Sequence, residues 1–437
     1  MKRLLIGTVA WAVLAGGALA QTPDASLRAS IQADYDDHLG SLFDWFHRNP
    51  ELSGLEINTA ARMANELRAL GYQVTEGVGG TGVVAVLTNG DGPTVLMRAD
   101  MDGLPVEERS GLANASTVRQ VDRDGQERPV MHACGHDVHI TALVGAARQM
   151  IERRDQWAGT LVLVVQPAEE RIFGAREMLE DGLYERFPRP DYAVAFHVAA
   201  GQPMGTISVP LDVVSSSSDS VDIQVRGVGT HGAYPHLGVD PVLVASQIVV
   251  SLQSIVSREI SPLEGAVITV GSIHGGTKHN IIGERVDLQL TVRSDSPEVR
   301  ERLLDGIDRV SANTARALGV PEDRLPIVVR SATETTPATI NDPETAQRVR
   351  DAIVAGMGAD RLVESPRTGM GAEDFAYFAA PGNGVRGVYF HVGGTLPSEV
   401  ETVAGHHSPE FRIEAEPSVT AGVEAMVLAG MALMAPP

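Results

Sequence analysis

The stretch Leu161-Val162-Leu163-Val164-Val165, followed at once by Gln166-Pro167-Ala168-Glu169-Glu170, decides the fold of this chain. An unbroken apolar run that ends at a proline turn is typical of a strand buried on both faces of a sheet. Similar runs occur at residues 82–87, 94–98 and 192–196. The residues from Ile140 to Ile151 have the apolar spacing of a helix. Buried strands that alternate with helices predict an α/β sheet covered on both faces.

Polar side chains stand directly after these strands. Asp100 and Asp102 follow the run at 94–98, Glu169 and Glu170 follow the quoted stretch, and His197 follows the last run. Ligands of open α/β sheets bind outside the carboxyl ends of the strands, so we expect these side chains at one edge. Adjacent carboxylates diverge, so one glutamate of the pair can bind a metal while the other acts as a general base.

The segment Met131-His132-Ala133-Cys134-Gly135-His136-Asp137-Val138-His139 predicts a metal site. It holds the only cysteine of the chain together with three histidines and a carboxylate. Cys134 and His136 are two positions apart and can point at one ion, while Asp137 and His139 can orient the ligands. Taken alone, the segment also fits a polar loop with a buried free thiol. A second candidate is the pair His406-His407, for which a pair of surface histidines is the alternative.

The N-terminal residues indicate a compartment, and the net charge restricts the classes of partner. Met1-Lys2-Arg3 and the apolar run up to Ala20 predict a cleaved secretory signal peptide, with an uncleaved anchor as the alternative. We therefore expect an exported protein, periplasmic or secreted. The formal net charge of −21 argues against nucleic acid or an anionic membrane as partner. A single cysteine excludes an internal disulfide.

A change of composition at Ser215-Ser216-Ser217-Ser218 predicts a second domain. The strand and helix patterns that follow have the order βαββαβ, which is the order of a split-βαβ sandwich. We therefore predict a catalytic domain in two parts, residues 21–213 and 331–437, interrupted by an inserted domain at residues 214–330. In the inserted domain, the loop from Gly229 to His236 presents His231, for which a purely structural role is the alternative.

Six motifs occur in an order that resembles one family of enzymes. The chain resembles the metal-dependent amidohydrolases that include hippurate hydrolase and the plant auxin-conjugate (IAA-amino acid) hydrolases. This is a branch of the aminoacylase and carboxypeptidase metallopeptidases, and the resemblance spans roughly residues 30–430. The motifs are Asp100–Pro105, His132–Asp137, Gln166–Glu170, Gly229–His236, Gly371–Phe375 and His407–Pro409.

The resemblance implies a zinc-peptidase-like α/β domain with an inserted ferredoxin-like lid that mediates homodimers in many members. It implies two divalent metal ions per subunit, Zn²⁺ first, with Mn²⁺, Co²⁺ or Ni²⁺ as alternatives. By motif, Glu169 is the general base, and His231 stabilises the oxyanion. Asp100 and Asp102 orient ligands, and Asn280 and Arg293 bind the substrate carboxylate. The implied metal ligands are Cys134, His136, Glu170, His197 and His407.

The function implied is hydrolysis of the amide bond of N-acyl amino acids, hippurate-like or N-acetyl, by a water that bridges the metals. A dipeptidase or metallocarboxypeptidase with the same centre is the alternative, and a catalytically silent metal-binding scaffold is a third. Two departures affect the pocket. Arg171-Ile172-Phe173 replaces a glycine-rich turn of many members, and Gly283 stands where many have proline. They leave open which acyl group and which amino acid fit.

Overall fold

The computed structural model describes residues 24–380 and 382–435. The predicted signal peptide, residues 1–20, lies outside the described residues. The α-helices are α1 (Ala25–Asp34), α2 (Gly40–Arg48), α3 (Ile57–Ala69), α4 (His136–Glu152), α5 (Gly174–Glu180), α6 (Leu183–Arg186), α7 (Pro241–Ser254), α8 (Pro297–Ala317), α9 (Pro343–Met357) and α10 (Ala415–Leu433). The strands are β1 (Gln73–Val78), β2 (Gly82–Asn89), β3 (Thr94–Asp100), β4 (Arg119–Val121), β5 (Glu127–Pro129), β6 (Gly159–Gln166), β7 (Tyr192–Pro203), β8 (Ile207–Ser208), β9 (Val213–Ser215), β10 (Ser217–Arg226), β11 (Thr230–His231), β12 (Ala266–Gly275), β13 (Ile281–Ile282), β14 (Arg285–Ser294), β15 (Ile327–Thr336), β16 (Thr339–Ile340) and β17 (Arg386–Thr395).

A seven-stranded sheet carries the site, with the strand order β1-β2-β6-β3-β7-β17-β8. Its middle strands β6, β3, β7 and β17 run parallel to one another. The flanking strands β1, β2 and β8 pair antiparallel, so the sheet is mixed. The predicted α/β class is confirmed. The carboxyl ends of β6, β3 and β7 lie side by side, which is the edge where the sequence predicted the polar side chains.

Helices cover both faces of this sheet, and β6 shows why its sequence is apolar throughout. Leu161 and Leu163 belong to the core that includes residues of α4 and α10. Val162 and Val164 belong to a second core that includes Ala175 of α5 and lies on the opposite face. Successive side chains of a strand point to opposite faces. A strand buried on both faces therefore needs the continuous apolar run that the sequence has.

Residues 217–336 form a separate four-stranded unit. Its sheet has the order β12-β14-β10-β15, with every pair antiparallel, and it has its own core with α7 and α8. The order of its elements along the chain is βαββαβ, as the sequence predicts. The last strand runs to Thr336, past the predicted boundary at residue 330. The short strands β9 and β16 pair with each other where the chain enters and leaves the four-stranded unit.

Helix α7 of the four-stranded unit has two different faces. Together with a π-helical turn it spans Pro241–Glu259, a segment with a mean hydropathy of 1.3 that could cross a membrane by length and composition alone. Its inner face packs Val244 and Ile248 into the core of the unit. Its outer face leaves Val242, Leu243 and Val250 exposed. The described chain therefore presents an apolar helix face that no other described element covers.

Candidate active site

The chain brings its predicted metal ligands to the carboxyl edge of the seven-stranded sheet. Glu169 and Glu170 sit in a 3₁₀ turn directly after β6, and His197 lies in β7. His136 begins α4, and Cys134 stands just before it. The sulfur of Cys134, a ring nitrogen of His136 and a carboxylate oxygen of Glu170 all lie within 4.8 Å of one another.

Cys134 also belongs to a second group with His197 and His406. Its Sγ lies 3.4 Å from Nε2 of His197 and 3.7 Å from Nδ1 of His406. Nδ1 of His197 donates to the carbonyl of Val198 at 2.7 Å, so the lone pair of Nε2 is directed at the cluster. In His406, Nε2 already accepts the amide of Ala200 at 3.1 Å. Its proton therefore lies on Nδ1, which leaves the neutral ring no free lone pair for a metal.

His407 is the histidine that the sequence motif assigns to the metal, and the structure places it beside Glu170. Its Nε2 lies 3.3 Å from Oε2 of Glu170, and 55% of its side chain is exposed. Its backbone has a φ of 66°, in the left-handed region, and its amide donates to the carbonyl of Ala133 at 2.8 Å. Non-glycine residues in that region are uncommon and concentrate at functional sites. His407 is thus held beside Glu170, and His406 beside Cys134.

Asp100, the last residue of β3, and Asp102, two residues later, support the cluster. Oδ1 of Asp102 lies 3.3 Å from Nδ1 of His136, and its carboxylate accepts the backbone amides of Glu169 and Glu170 at 3.2 and 3.1 Å. Asp102 therefore ties the start of α4 to the turn after β6. Asp100 lies 2.5 Å from Nδ1 of His139, whose Nε2 accepts a backbone amide. Both nitrogens of His139 are used, which suits a supporting role rather than ligation.

The donors of the cluster fit divalent metal ions. Nε2 of His136 and Oε1 of Glu170 are buried and have no hydrogen-bond partner among the described residues. Buried polar atoms are nearly always paired, so these atoms need a partner such as an ion. Burial and the charges of Glu373 and Glu170 raise the pKa of Glu169 well above its usual range. Burial and the charge of Glu170 likewise raise the pKa of Cys134. A dication would offset this surplus of buried negative charge.

Asp137 does not turn toward the cluster. Its carboxylate lies 2.7 Å from Nδ1 of His47, whose Nε2 lies 3.3 Å from Glu108. The sequence motif predicted that Asp137 orients the metal ligands. In the structure it instead connects the first turn of α4 to α2.

A buried arginine under the cluster was missed at the sequence level. Nη1 of Arg98 lies 2.7 Å from Asp100, and Nη2 lies 2.8 Å from Glu373 and 3.3 Å from Asp374. Tyr389 donates to Glu373 at 2.5 Å. The sequence signal that could have revealed it was a lone arginine inside an otherwise apolar buried strand. Its partners Glu373 and Asp374 belong to the motif Gly371–Phe375. Because Arg98 is fully buried, its charge needs these neighbouring carboxyl groups as partners.

The cluster opens into a cavity of about 1720 Å³ between the seven-stranded sheet and the four-stranded unit. Glu169, His407 and, from β14, Arg293 line it. His231 and Asn280 do not. His231 is exposed on β11, which pairs with β13, and its Nδ1 accepts the amide of Ala233 at 3.0 Å. A single chain therefore does not bring His231 to the metal ligands.

The sequence profile of peptidase family M20/M25/M40 matches residues 96–430. The chain belongs to this family. It is 34% identical over 374 residues to thermostable carboxypeptidase 2 of Saccharolobus solfataricus, covering 84% of this chain and 88% of that one. It is 35% identical over 336 residues to hippurate hydrolase of Campylobacter jejuni, covering 76% and 82%. Among solved structures it is similar to the YXEP protein of Bacillus subtilis, a dinuclear metal binding peptidase, with a TM-score of 0.75, 26% identity and coverage of 92% and 100%.

Membership of the M20 family makes this chain an amidohydrolase or peptidase that binds metal and acts on amide or peptide bonds. The geometry agrees with that chemistry. Glu169 is a buried carboxylate that lines the cavity next to Glu170 in the same turn, and its Oε2 lies 3.9 Å from Nε2 of His136.

Proposed function

We propose that this M20 protein hydrolyses the amide bond of N-acyl amino acids with two divalent metal ions, Zn²⁺ first. The observation that carries the proposal is that Cys134 lies close to His136 and Glu170 on one side and to His197 on the other, while Glu169 lines the same cavity. The relative named hippurate hydrolase supports an N-acyl substrate. We also propose export, which rests on the sequence of residues 1–20 alone.

The residues that would hold the metals are Cys134, His136, Glu170, His197 and His407. Bound divalent ions would polarise the amide carbonyl and make a water in the cavity easier to deprotonate. Glu169 takes the proton of the attacking water and delivers it to the leaving amine. Asp102 keeps Glu169 in place, because it accepts the backbone amide of Glu169 at 3.2 Å. Arg293, which lines the cavity, binds the carboxylate of the amino acid.

We propose further that residues 214–330 act as a lid and that the protein is a homodimer through this region. The exposed apolar face of α7 supports the dimer, because contiguous exposed apolar surface marks interaction sites. The dimer also explains the position of His231. Exposed on its own chain, His231 of one subunit would serve as the oxyanion donor at the cavity of the other, with Asn280 beside it on the substrate carboxylate.

The test is hydrolysis by purified protein that has been stripped of metal and then resupplied with Zn²⁺, Mn²⁺, Co²⁺ or Ni²⁺. Hippurate, N-acetyl amino acids and simple dipeptides form the panel. We expect metal-dependent cleavage of the N-acyl substrates. Cleavage of dipeptides alone would move the protein to the peptidase alternative, which the carboxypeptidase relative favours. Tight metal binding without turnover of any substrate would favour the remaining alternative, a catalytically silent metal-binding scaffold.

The variant Glu169→Gln separates catalysis from metal binding. We expect it to lower kcat at least about 100-fold, since a general base contributes that much or more. Its bound metal, measured by elemental analysis, should equal that of the wild type. Glu185→Gln, an exposed glutamate of α6, is the matched control. Equal turnover of the two variants would remove Glu169 as the base.

A further inference from the structure

Arginines are unusually frequent on the cavity wall of this acidic protein. Three of them are committed to other groups of the protein: Arg176 pairs with Glu180, Arg350 with Glu364, and Arg367 with Asp295. The other three make no ion pair with any carboxylate of residues 24–380 and 382–435. These three are Arg123, Arg171 and Arg293.

The guanidinium groups of Arg123 and Arg171 both lie over the ring of Phe173. The guanidinium of Arg123 lies 5.8 Å from the centre of the Phe173 ring, and that of Arg171 lies 5.5 Å from it. The ring is 91% buried, so it is a fixed platform. Cation–π contacts of this kind attract the guanidinium without using its N–H donors. The arginine pair, Arg123 and Arg171 on Phe173, thus keeps donors for a ligand.

The backbone lies close to Arg123 on one side of the arginine pair and has a left-handed residue beside Arg171 on the other. Arg123 donates to the carbonyl of Gly54 at 3.3 Å, and a Cβ on Gly54 would lie 2.0 Å from Nη2 of Arg123. On the other side, Ile172 has a φ of 50°. A β-branched residue in the left-handed region is a true outlier, and such conformations persist where the surroundings over-determine them. The turn therefore carries Arg171 next to Glu170 at a conformational cost.

We propose that the arginine pair is an anion subsite that binds a second carboxylate of the substrate, beside the metal centre. Guanidinium groups bind carboxylates through paired N–H donors, and Arg293 is left for the α-carboxylate. The preferred substrates are therefore N-acyl amino acids with two carboxylates. The second one belongs either to an acidic amino-acid side chain or to a dicarboxylic acyl group. The inference rests on the proposed amide hydrolysis.

Matched substrate pairs test the subsite and separate the two sources of the carboxylate. The first pair is N-acyl-glutamate and N-acyl-glutamine, with the acyl group that the enzyme cleaves best. The second is N-succinyl-alanine and its neutral amide, N-succinamoyl-alanine. We expect kcat/KM of the charged member to exceed that of the neutral one about tenfold in one pair, as a charged hydrogen bond provides. The pair that shows the preference identifies the source.

Variants assign the preference to the arginine pair. Arg171→Gln and Arg123→Gln should each lower the charged-to-neutral ratio of kcat/KM about tenfold, through KM, and Arg171→Lys should restore part of it. Arg302→Gln, an exposed arginine of α8 outside the cavity, should leave the ratio unchanged. Equal kcat/KM for both members in the wild type, or equal losses for both in the variants, would overturn the subsite.

Failure of the proposed function gives a different result. If no substrate is hydrolysed, the binding of the same pairs to Glu169→Gln protein is measured by calorimetry. Tighter binding of the charged member, lost in the double variant with Arg171→Gln, supports the subsite without turnover. The absence of any preference in binding overturns it independently of hydrolysis.

Discussion

At the scale of one residue, Gly174 decides where Glu169 and Glu170 lie. A Cβ at this position would be 1.7 Å from the carbonyl oxygen of Pro167, at the start of the turn that holds Glu169 and Glu170. Gly174→Ala must therefore displace that turn. We expect the free energy of unfolding to fall by about 1–3 kcal/mol, as in overpacked sites. We expect kcat to fall about 100-fold, since an error of about 1 Å in placement has that effect.

Urea denaturation and initial rates measure the two effects of Gly174→Ala. The matched control is Gly271→Ala in β12, where the nearest atom to a new Cβ is 3.8 Å away. That variant should keep both wild-type stability and wild-type kcat. A Gly174→Ala protein with unchanged kcat would show that the turn tolerates the shift.

Also at the residue scale, sequence reasoning located Cys134, His136 and Glu170 because short motifs place them close together along the chain. It could not see Arg98 as a partner of Glu373, since 275 residues separate them. It could not tell that Asp137 turns to His47, because the direction of a side chain depends on the helix packed against it. The hydrogen bond that occupies Nε2 of His406 is likewise a product of folding.

At the scale of elements, His47 of α2 clamps the first turn of α4. Both of its nitrogens face carboxylates, those of Asp137 and Glu108. Burial alone would lower the pKa of His47, but the hydrogen bonds to Asp137 and Glu108 raise it to about 10. A group whose pKa is raised by folding contributes its full stabilisation below the unfolded pKa of about 6.5. This contribution is lost as the pH rises through the folded pKa.

The contacts of His47 with Asp137 and Glu108 should make the free energy of unfolding depend on pH. The difference in unfolding free energy between the wild type and His47→Gln should be about 2–4 kcal/mol at pH 6 and should shrink toward pH 10. Denaturant unfolding of both proteins, free of metal, at pH 6, 8 and 10 measures it. His274→Gln, an exposed histidine of β12, should show no such trend. A difference that stays constant with pH would contradict a protonated clamp.

The sequence was a good guide to single elements and a poor one to their arrangement. The four predicted runs lie in β2, β3, β6 and β7, because a doubly buried strand must be apolar throughout. The strand order could not be read from local patterns. In particular, β17 enters the sheet beside β7 only after the chain has completed the four-stranded unit. The end of β15 was missed because its residues alternate little in polarity and many are exposed.

At the scale of the whole molecule, the proposed dimer implies that each cavity receives His231 from the other subunit. His231→Ala and Glu169→Gln would each abolish most turnover as homodimers. In a mixed dimer, one cavity would combine an intact Glu169 with the intact His231 of the other subunit. If His231 acts across the interface, mixing and exchanging the subunits restores about a quarter of wild-type activity, since half the dimers are mixed and each has one good site. If His231 acts within its own subunit, both cavities of the mixed dimer are defective and nothing is restored.

Subunit exchange followed by rate measurement, with the molar mass determined by light scattering, distinguishes these cases. The matched control mixes Glu169→Gln with Cys134→Ser. Both residues belong to the same cavity, so no exchange can rebuild a complete site, and recovery there would indicate contamination rather than complementation. A monomeric mass would reject the arrangement directly, because His231 is exposed on its own chain and does not line its own cavity. Recovery in the first mixture alone would mean that dimer formation serves catalysis, since it completes each cavity with His231 of the other subunit.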